Sequence, residues 1–559
     1  MNPFAFCYRE QQQLFLFEGS YIWATLLKVG GLSTLCARFV VQFFRTPTLA
    51  VALTVALLTL SLFFLWAAVR RSWKDIPALL LCMVPVFFVA ASLCDNAMHF
   101  DFLLSFLFAV AGLLVYSKIK ANRVLWGSAF SAALYFLAGP SAILFALCAF
   151  LSDLMDGKGK GLRSIIIVAV AFCFAALSYY AARVPTWAAA LTPAFHYDID
   201  AAMPFAHWAA WIALPLSIVL GRSLELIKGK AVRYAVAAGL AIVALFPASK
   251  FSKDFEDERE NMNYEFEYYV AREDWKGLEK ACKHHEWLPR TANYLNLALA
   301  HQGRLCDDLF KHDQRGPMSL IMSHENRAVD LLTAHIMFAM GNAAAAQDVA
   351  FNCLFSLQGY CPEMLKMNAQ IEIMRGSLDI ADKYLSILEK APFYRKWARS
   401  RRVFLSDESA LMADPVLGSG RRGFPLEDDF AMFYDPMTEL FRIIEADPSN
   451  ATAMQYGLSF LLLAKDMYSV QQFVDTFYGT EGLPELPVCA QEALIFYSDY
   501  SRNFKGVEPV SLEWCLSHGV TQSVIDRFSR FQQDSVRSGG KAPNGSRGTF
   551  WYYLLYNKV

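Results

Sequence analysis

A strong charge of either sign is missing from this chain: 51 Lys and Arg stand against 52 Asp and Glu over 559 residues, a formal net charge of -1. No basic field is offered to a phosphate backbone, so nucleic acid is excluded as a partner. A P-loop, a nucleophile elbow and an HExxH helix are also absent, which removes the familiar soluble nucleotide, acyl and zinc enzymes. The 12 cysteines form no CxxC pair, and Cys282 near His284 and His285 lacks the further ligands of a zinc site; no metal is expected. Charge itself is scarce, 18% against 55% apolar residues, and the scarcity is local.

Leu49 to Ala68, Ile76 to Leu93, Phe102 to Val115, Ser164 to Ala182, Phe205 to Leu220 and Tyr234 to Phe246 are nearly free of charge. Each reaches across a hydrocarbon core about 30 Å thick, some only with their flanks. Val124 to Ser152 is too long for one such helix and short for two, and Gly139-Pro140 at its middle must kink or end a helix. Loop charge decides between one crossing and a hairpin. With a hairpin, one face collects Arg70, Arg71, Lys74, Lys118, Lys120, Arg123, Lys158, Lys160, Arg163, Arg222, Lys228, Lys230 and Arg233, and the other only Arg183, 13 against 1. With a single crossing the count is 7 against 7. Positive loops stay in the cytoplasm, so the hairpin is preferred. The expectation is a bundle of about eight spans over 48–248, with an amphipathic segment 1–47 and a soluble domain 249–559 both outside the cytoplasm. Arg9, Lys28, Arg38 and Arg45 then lie outside with no spanning helix or signal peptide ahead of them, which reads as an initial helix missing from the start.

From Asp254 onward apolar residues recur at helical spacing and little reads as strand. Gly341 precedes Ala346, and Gly376 precedes Ala381, by the same five residues. The two glycines are 35 apart, near the 34-residue tetratricopeptide period of paired antiparallel helices. Gly303 keeps the turn in an earlier unit where Asp308 replaces the small residue, and Asp447-Pro448 joins two later units. A break at Pro415 to Pro425 makes the array irregular. The fold class is therefore all-α: a polytopic helix bundle followed by an irregular tetratricopeptide-like array. Such an array either holds another polypeptide on its concave face or only packs on itself. Arg395, Lys396 and Arg399, with Arg401 and Arg402, crowd around Tyr394 and Trp397; they suit an anionic glycan, a lipid headgroup or an acidic partner, or form a solvated helix face. A disulfide such as Cys353 to Cys361 is open to a domain outside the cytoplasm.

His196, Asp198 and Asp200 share one external loop, where the two carboxylates suit a cation or merely keep the loop polar. The broken helix at Gly139-Pro140 exposes backbone dipoles to an ion or headgroup. No ionisable residue lies deep within a span, so a transporter has little support.

"REQQQLFLFEGSY" at 9 to 21, "LAGPSAILFAL" at 137 to 147, "NYLNLALAHQGRL" at 293 to 305, "FYRKWA" at 393 to 398 and "TFWYYLLYN" at 549 to 557 resemble an uncharacterised bacterial domain-of-unknown-function family of multi-spanning envelope proteins with a tetratricopeptide-like C-terminal half. That resemblance implies a multi-spanning envelope protein but assigns no activity; the function expected from the chain's organisation is that of a multi-pass protein of the bacterial inner membrane, contacting membrane lipid and presenting its repeat domain outside the cytoplasm to a protein or glycan during envelope assembly. Members generally begin with a membrane helix ahead of the "EQQQLF" segment, and this sequence departs from that. The chain is also similar, more distantly, to the GT-C class of glycosyltransferases, which take sugars from polyprenyl-phosphate lipids. That likeness implies Glu10 with Asp95 or Asp101 as catalytic carboxylates, with His99 between the latter two as a substrate contact. A divalent cation is then a possible cofactor; none is otherwise implied.

Overall fold

The computed structural model describes residues 2–70, 75–155, 161–198, 202–227, 229–254, 258–285, 289–321, 327–356, 361–423, 436–503, 509–539 and 541–557. Among these every regular element is a helix, and the chain divides into two compact units, 1–264 and 265–559.

The first unit opens with α1 (Pro3–Gln11), α2 (Gly19–Leu26) and α3 (Gly31–Val41). Eight longer helices follow, with the short α10 (Trp187–Leu191) among them: α4 (Pro47–Val69), α5 (Ile76–Ser92), α6 (Asp101–Lys118), α7 (Arg123–Ala138), α8 (Ser141–Met155), α9 (Ile165–Tyr180), α11 (Trp208–Leu224) and α12 (Lys230–Asp254). Five helical stretches, Pro47–Val69, Asp101–Lys118, Gly161–Tyr180, Phe205–Leu224 and Lys230–Pro247, are long and apolar enough to cross a membrane. The helices α5, α7 and α8 are apolar but shorter. These eight answer the expected segments one for one.

The segment over Gly139-Pro140 turns back on itself. Gly139 adopts φ +68 and ψ -146, a conformation open to glycine and closed to residues with a Cβ. Far from that turn, Arg123 at the start of α7 pairs with Asp153 near the end of α8 at 2.6 Å. The two helices therefore run antiparallel. Asp153 also accepts hydrogen bonds from Tyr116 and Ser164, both at 2.6 Å, which draws the ends of α6 and α8 and the start of α9 to the same end of the bundle.

In this unit apolar side chains face outward as well as inward. In α9, Ile166, Phe172 and Leu177 face outward while Ile167, Ala171 and Ala175 are buried. In α7 the buried residues include Gly127, Ser131 and Tyr135, and α7 packs on α9. Small residues four apart on each helix let the backbones approach, the usual device where lipid removes any hydrophobic drive between helices. The fit is tight: a Cβ on Gly127 would lie 2.3 Å from Ile167 Cδ1.

The chain leaves this unit within α13 (Glu258–Val270). The second unit continues through α14 (Trp275–Lys283), α15 (Pro289–His301), α16 (Leu305–Asp308), α17 (Arg327–Ala339), α18 (Ala343–Ser356), α19 (Pro362–Arg375), α20 (Leu378–Glu389) and α21 (Arg395–Arg401). Then come α22 (Glu408–Ala413), α23 (Leu417–Arg422), α24 (Pro436–Ala446), α25 (Ala451–Leu463), α26 (Met467–Phe477), α27 (Val488–Asn503), α28 (Leu512–Ser517), α29 (Gln522–Arg537) and α30 (Phe550–Tyr556). The break read at Pro415 to Pro425 thus contains the helix α23; Pro425 lies outside the described residues.

One turn recurs through the array. Glu273, Gly303, Gly341, Gly376, Lys465 and Gly519 each take positive φ. After each, the next residue's amide donates to the carbonyl five positions back: Asp274 to Tyr269, Arg304 to Leu299, Asn342 to Met337, Ser377 to Glu372, Asp466 to Leu461 and Val520 to Cys515. This is the Schellman ending of a helix. Five residues beyond each positive-φ position the chain buries a side chain: Leu278, Asp308, Ala346, Ala381, Val470 and Val524. Asp308 is tolerated there because it is held by Arg304 and Lys311. The array also curls on itself, with α16 packed against both α25 and α27.

Burial in this unit has a pH signature. Desolvation pushes the Glu267 carboxyl up to about 7, against a hydrogen bond from Tyr294 and with added repulsion from Glu363. Desolvation likewise pushes Glu492 up to about 7, although the Phe550 amide and Arg527 oppose it. Both folded pKa values exceed the unfolded value of about 4.3. Below that value both states are protonated and nothing is lost. Above it the unfolded chain ionises first, so stability falls as pH rises from about 4.5 toward 7, by at most about 1.4 kcal/mol per unit for each group. Thermal midpoints of the second unit's transition across this window are expected to decline, and Glu267→Gln to remove part of the slope. An unchanged slope in that variant would refute the assignment.

Candidate functional site

The end of the first unit opposite Arg123 and Asp153 gathers the polar side chains singled out by sequence. The loop after α5 pairs with the loop after α10: the His99 amide donates to the His196 carbonyl at 2.8 Å, the Asp198 amide to Ala97 at 2.9 Å, and Met98 bridges Tyr197. The register of this bridge sets three His–Asp pairs side by side. His196 Nδ1 lies 3.0 Å from Asp101 Oδ1, His207 Nε2 lies 2.9 Å from Asp95 Oδ2, and His99 Nε2 lies 3.2 Å from Asp198 Oδ1.

The pairs differ in access. Both His196 and His207 side chains are fully enclosed, whereas those of His99 and Asp198 are 49% and 39% exposed. Asp101 also accepts from Thr34 Oγ1 at 3.0 Å, so α3, α6 and the loop before Tyr197 meet on one carboxylate. From His196 Nε2 the network continues to Ser105 Oγ at 3.0 Å and on to Ser141 Oγ at 3.0 Å, the first residue of α8. The order Ser105, His196, Asp101 is that of a hydrolytic triad. Ser105 is wholly buried, however, and its hydroxyl also reaches its own helix at the Phe102 carbonyl, at 3.0 Å. A nucleophile must be presented to substrate, so this network is a fastening between helices.

Asp95 is equally occupied. Its Oδ2 accepts from Tyr197 Oη and His207 Nε2, both at 2.9 Å, and its Oδ1 from the Ala97 amide at 2.9 Å. Burial works to raise this carboxyl, but those hydrogen bonds outweigh it and hold Asp95 below the usual carboxylate range. Tyr197 is pushed the other way, by burial and by the same carboxylate.

Arg9 explains how a cation is accommodated here. Its Nη1 donates to Met98 O at 2.7 Å and its Nη2 to Leu93 O and Asp95 O, both at 2.9 Å. These carbonyls follow the end of α5, where the helix dipole is negative and the last carbonyls need donors. Burial draws the guanidinium down to about 10, with Asp95 opposing, so the group stays cationic at neutral pH. Glu10 is buried beside it on α1.

Of the residues proposed from sequence, Asp95, His99, Asp101, His196 and Asp198 converge at this end, and Glu10 sits on the helix whose Arg9 reaches them. Asp200 lies outside the described residues. Arg395, Lys396 and Arg399 are exposed on α21 in the second unit, in a separate compact body from His99. In the same run Arg401 pairs with Asp414, and Arg402 with Asp382 and Glu389. Trp397 receives Arg401 over its ring at 5.6 Å and Lys366 at 5.4 Å. Sequence reading passed over Thr34, Ser105, Ser141, Tyr197 and His207. For Ser105, Ser141 and His207 the available signal was position, since each sits near the start of a helix that begins at this end of the bundle; Thr34 and Tyr197 carried no such signal.

No group of three or more His, Cys, Asp or Glu among the described residues is arranged to hold a metal ion. All twelve cysteines are free thiols, Cys353 and Cys361 included.

An all-helical protein of membrane type, with a buried His–Asp network joining its loops at one end and a repeating helical unit following, is what this fold and site define. The chain belongs to the family of unknown function DUF6057, whose model matches residues 1–557. No curated protein and no solved structure matches it.

Proposed function

We propose that this is an integral protein of the inner membrane of bacteria that holds its helical half, 265–559, outside the cytoplasm, where a tetratricopeptide-like array takes a protein or glycan partner in envelope assembly. One observation carries the reading: the Arg123–Asp153 pair closes the α7/α8 hairpin. Turning back there gathers the basic connectors on one face, which the positive-inside rule assigns to the cytoplasm. The chain leaves the first unit at the other end, where Asn2 Nδ2 donates to Asn261 O at 3.0 Å and Tyr8 packs on Tyr264 at 4.8 Å. Alkaline phosphatase fused after Asn557 is expected to be active, and green fluorescent protein at the same point dark. A fluorescent fusion would overturn the placement.

A second reading, a GT-C-like transferase using a polyprenyl-phosphate-linked sugar, is favoured by the convergence of Asp95, His99, Asp101 and Asp198 at that same end. Against it stands the full engagement of Asp95 and Asp101 by protein donors. The two readings separate on Glu10→Gln and Asp95→Asn. Loss of sugar transfer with a retained fold supports the transferase; intact envelope phenotype and partner capture support the scaffold.

A further inference from the structure

We propose that α2 and α3 form an interfacial arm, lying in the boundary between hydrocarbon and headgroups at the Asp101 end of the bundle, with Trp23 and Leu27 seated among phospholipid acyl chains. The inference rests on the reading of the first unit as embedded in a membrane, and on neither the sidedness nor the partner proposed above.

Length comes first. Helix α2 has eight residues and α3 has eleven, so at 1.5 Å per residue they reach about 12 and about 16 Å, well short of a hydrocarbon core about 30 Å thick. Neither can cross. Their path runs over the end of the bundle instead. The Gly30 amide donates to the Phe136 carbonyl, near the end of α7, at 2.9 Å. Thr34 donates to Asp101, the first residue of α6, at 3.0 Å, and Phe44 packs on Phe100 at 5.0 Å before α4 begins at Pro47. One short stretch thus passes from the end of one span, over the start of a second, to the start of a third.

Helix α2 packs on α3 and turns outward a face that water does not explain. Gly19–Leu26 carries no charge, and its Tyr21 and Thr25 are buried. Trp23 and Leu27, one turn apart, are 65% and 60% exposed. Phe17, just before α2, and Phe39 on α3 are exposed as well, their rings 6.4 Å apart. Lys28 follows Leu27 and is also exposed. Trp, Phe and Leu on one face with a lysine at its edge suit a helix lying in the interface plane, where the lysine stem lets its ammonium reach the headgroup phosphates.

Continuity decides what covers this face. The same end of the bundle carries further outward aromatics: Tyr180 at the end of α9, Trp187 at 5.6 Å from it, and Phe205 ahead of α11, stacked near Trp208 at 6.5 Å. Aromatic side chains gather at headgroup level in membrane proteins. Phe136, whose carbonyl holds Gly30, is itself exposed on a span, so the outward apolar surface of α7 runs directly up to the arm. Lipid that touches Phe136 is already within reach of α2.

The full chain carries p-benzoylphenylalanine in place of Trp23, Leu27, Phe172 or Phe44, one at a time, and is purified into nanodiscs of phosphatidylethanolamine and phosphatidylglycerol. Phe172 faces outward in the middle of α9, and Phe44 is buried. Irradiation is expected to add phospholipid at positions 23 and 27 in yields within a few-fold of position 172, and none at 44. Adducts to protein at 23 and 27, or no adduct there, overturn the arm's placement, while the lipid adduct at 172 leaves the membrane reading standing. No lipid adduct at any position, with release of the chain from cell membranes by carbonate, overturns both. Hydroxyl-radical labelling of the unsubstituted chain in the same nanodiscs needs no variant. Trp23 is expected to be oxidised severalfold less than Tyr468, which is 62% exposed in the second unit, and equal oxidation overturns the proposal.

Discussion

Asp101→Ala is expected to destabilise the first unit by about 3–5 kcal/mol, the range for removing one partner of a buried ionic hydrogen bond. The change strands His196 Nδ1 and Thr34 Oγ1, both of which spend their bonds on this carboxylate. Because His196 also carries the link to Ser105 and Ser141, the loss spreads from α6 to the start of α8. Asp101→Asn keeps an acceptor for His196 and sets an amide against a hydroxyl that can accept, so about 1–2 kcal/mol is expected for the charge alone. Thermal midpoints in detergent measure both. If alanine costs no more than asparagine, the carboxylate does not fasten these elements and the network has another purpose.

Trp551→Ala is expected to cost about 3–5 kcal/mol in the second unit, as for other buried tryptophans. Trp551 is 2% exposed, stacks near Phe531 at 5.3 Å and lies 5.3 Å from Phe528 on α29. Its indole Nε1 donates to Glu492 O at 2.8 Å, while the Phe550 amide donates to the Glu492 side chain at 2.7 Å. Farther along α30, Tyr553 Oη donates to Leu463 O at 2.8 Å, and the Asn557 amide group to Gln314 O at 3.1 Å. One short helix therefore joins α25, α27, α29 and the loop after α16. The variant should lower the midpoint of the 265–559 transition and open sites around Arg527 and Arg530 to trypsin. A midpoint within about 1 kcal/mol of wild type would show that α30 is an ornament to a core already closed.

How far this architecture can be read from sequence depends on whether a local rule governs each feature. The hairpin at Gly139-Pro140 is such a case, since a proline forces the break and loop charge decides its sense. The turns at Gly341 and Gly376 are another, because glycine marks the left-handed residue and the small Ala346 and Ala381 mark the close approach. The same turn at Glu273 and Lys465 escapes notice, because these residues accept a positive φ without announcing it. The site is legible only in outline. Carboxylates and histidines in external loops are visible, but which of them meet is set by a bridge between Met98 and Tyr197, nearly a hundred residues apart. Arg9 shows the gap most clearly. As a letter it is an awkward translocated charge; in place it is the cap on a helix end.

The turn at Gly139, where Gly30 and Phe195 also meet, has a bearing on how the protein is made. The Gly30 amide donates to Phe136 O at 2.9 Å, and a Cβ on Gly30 or Gly139 would lie 2.8 Å or 3.1 Å from the Phe195 ring. Three stretches synthesised at widely separated moments must be present before this corner can lock. The arm over α1 to α3 is made before its partners Asp101, Phe136 and Phe195. The corner can therefore lock only after Phe195 has been made, with α6, α7 and α8 already in the chain and α11 and α12 still to follow.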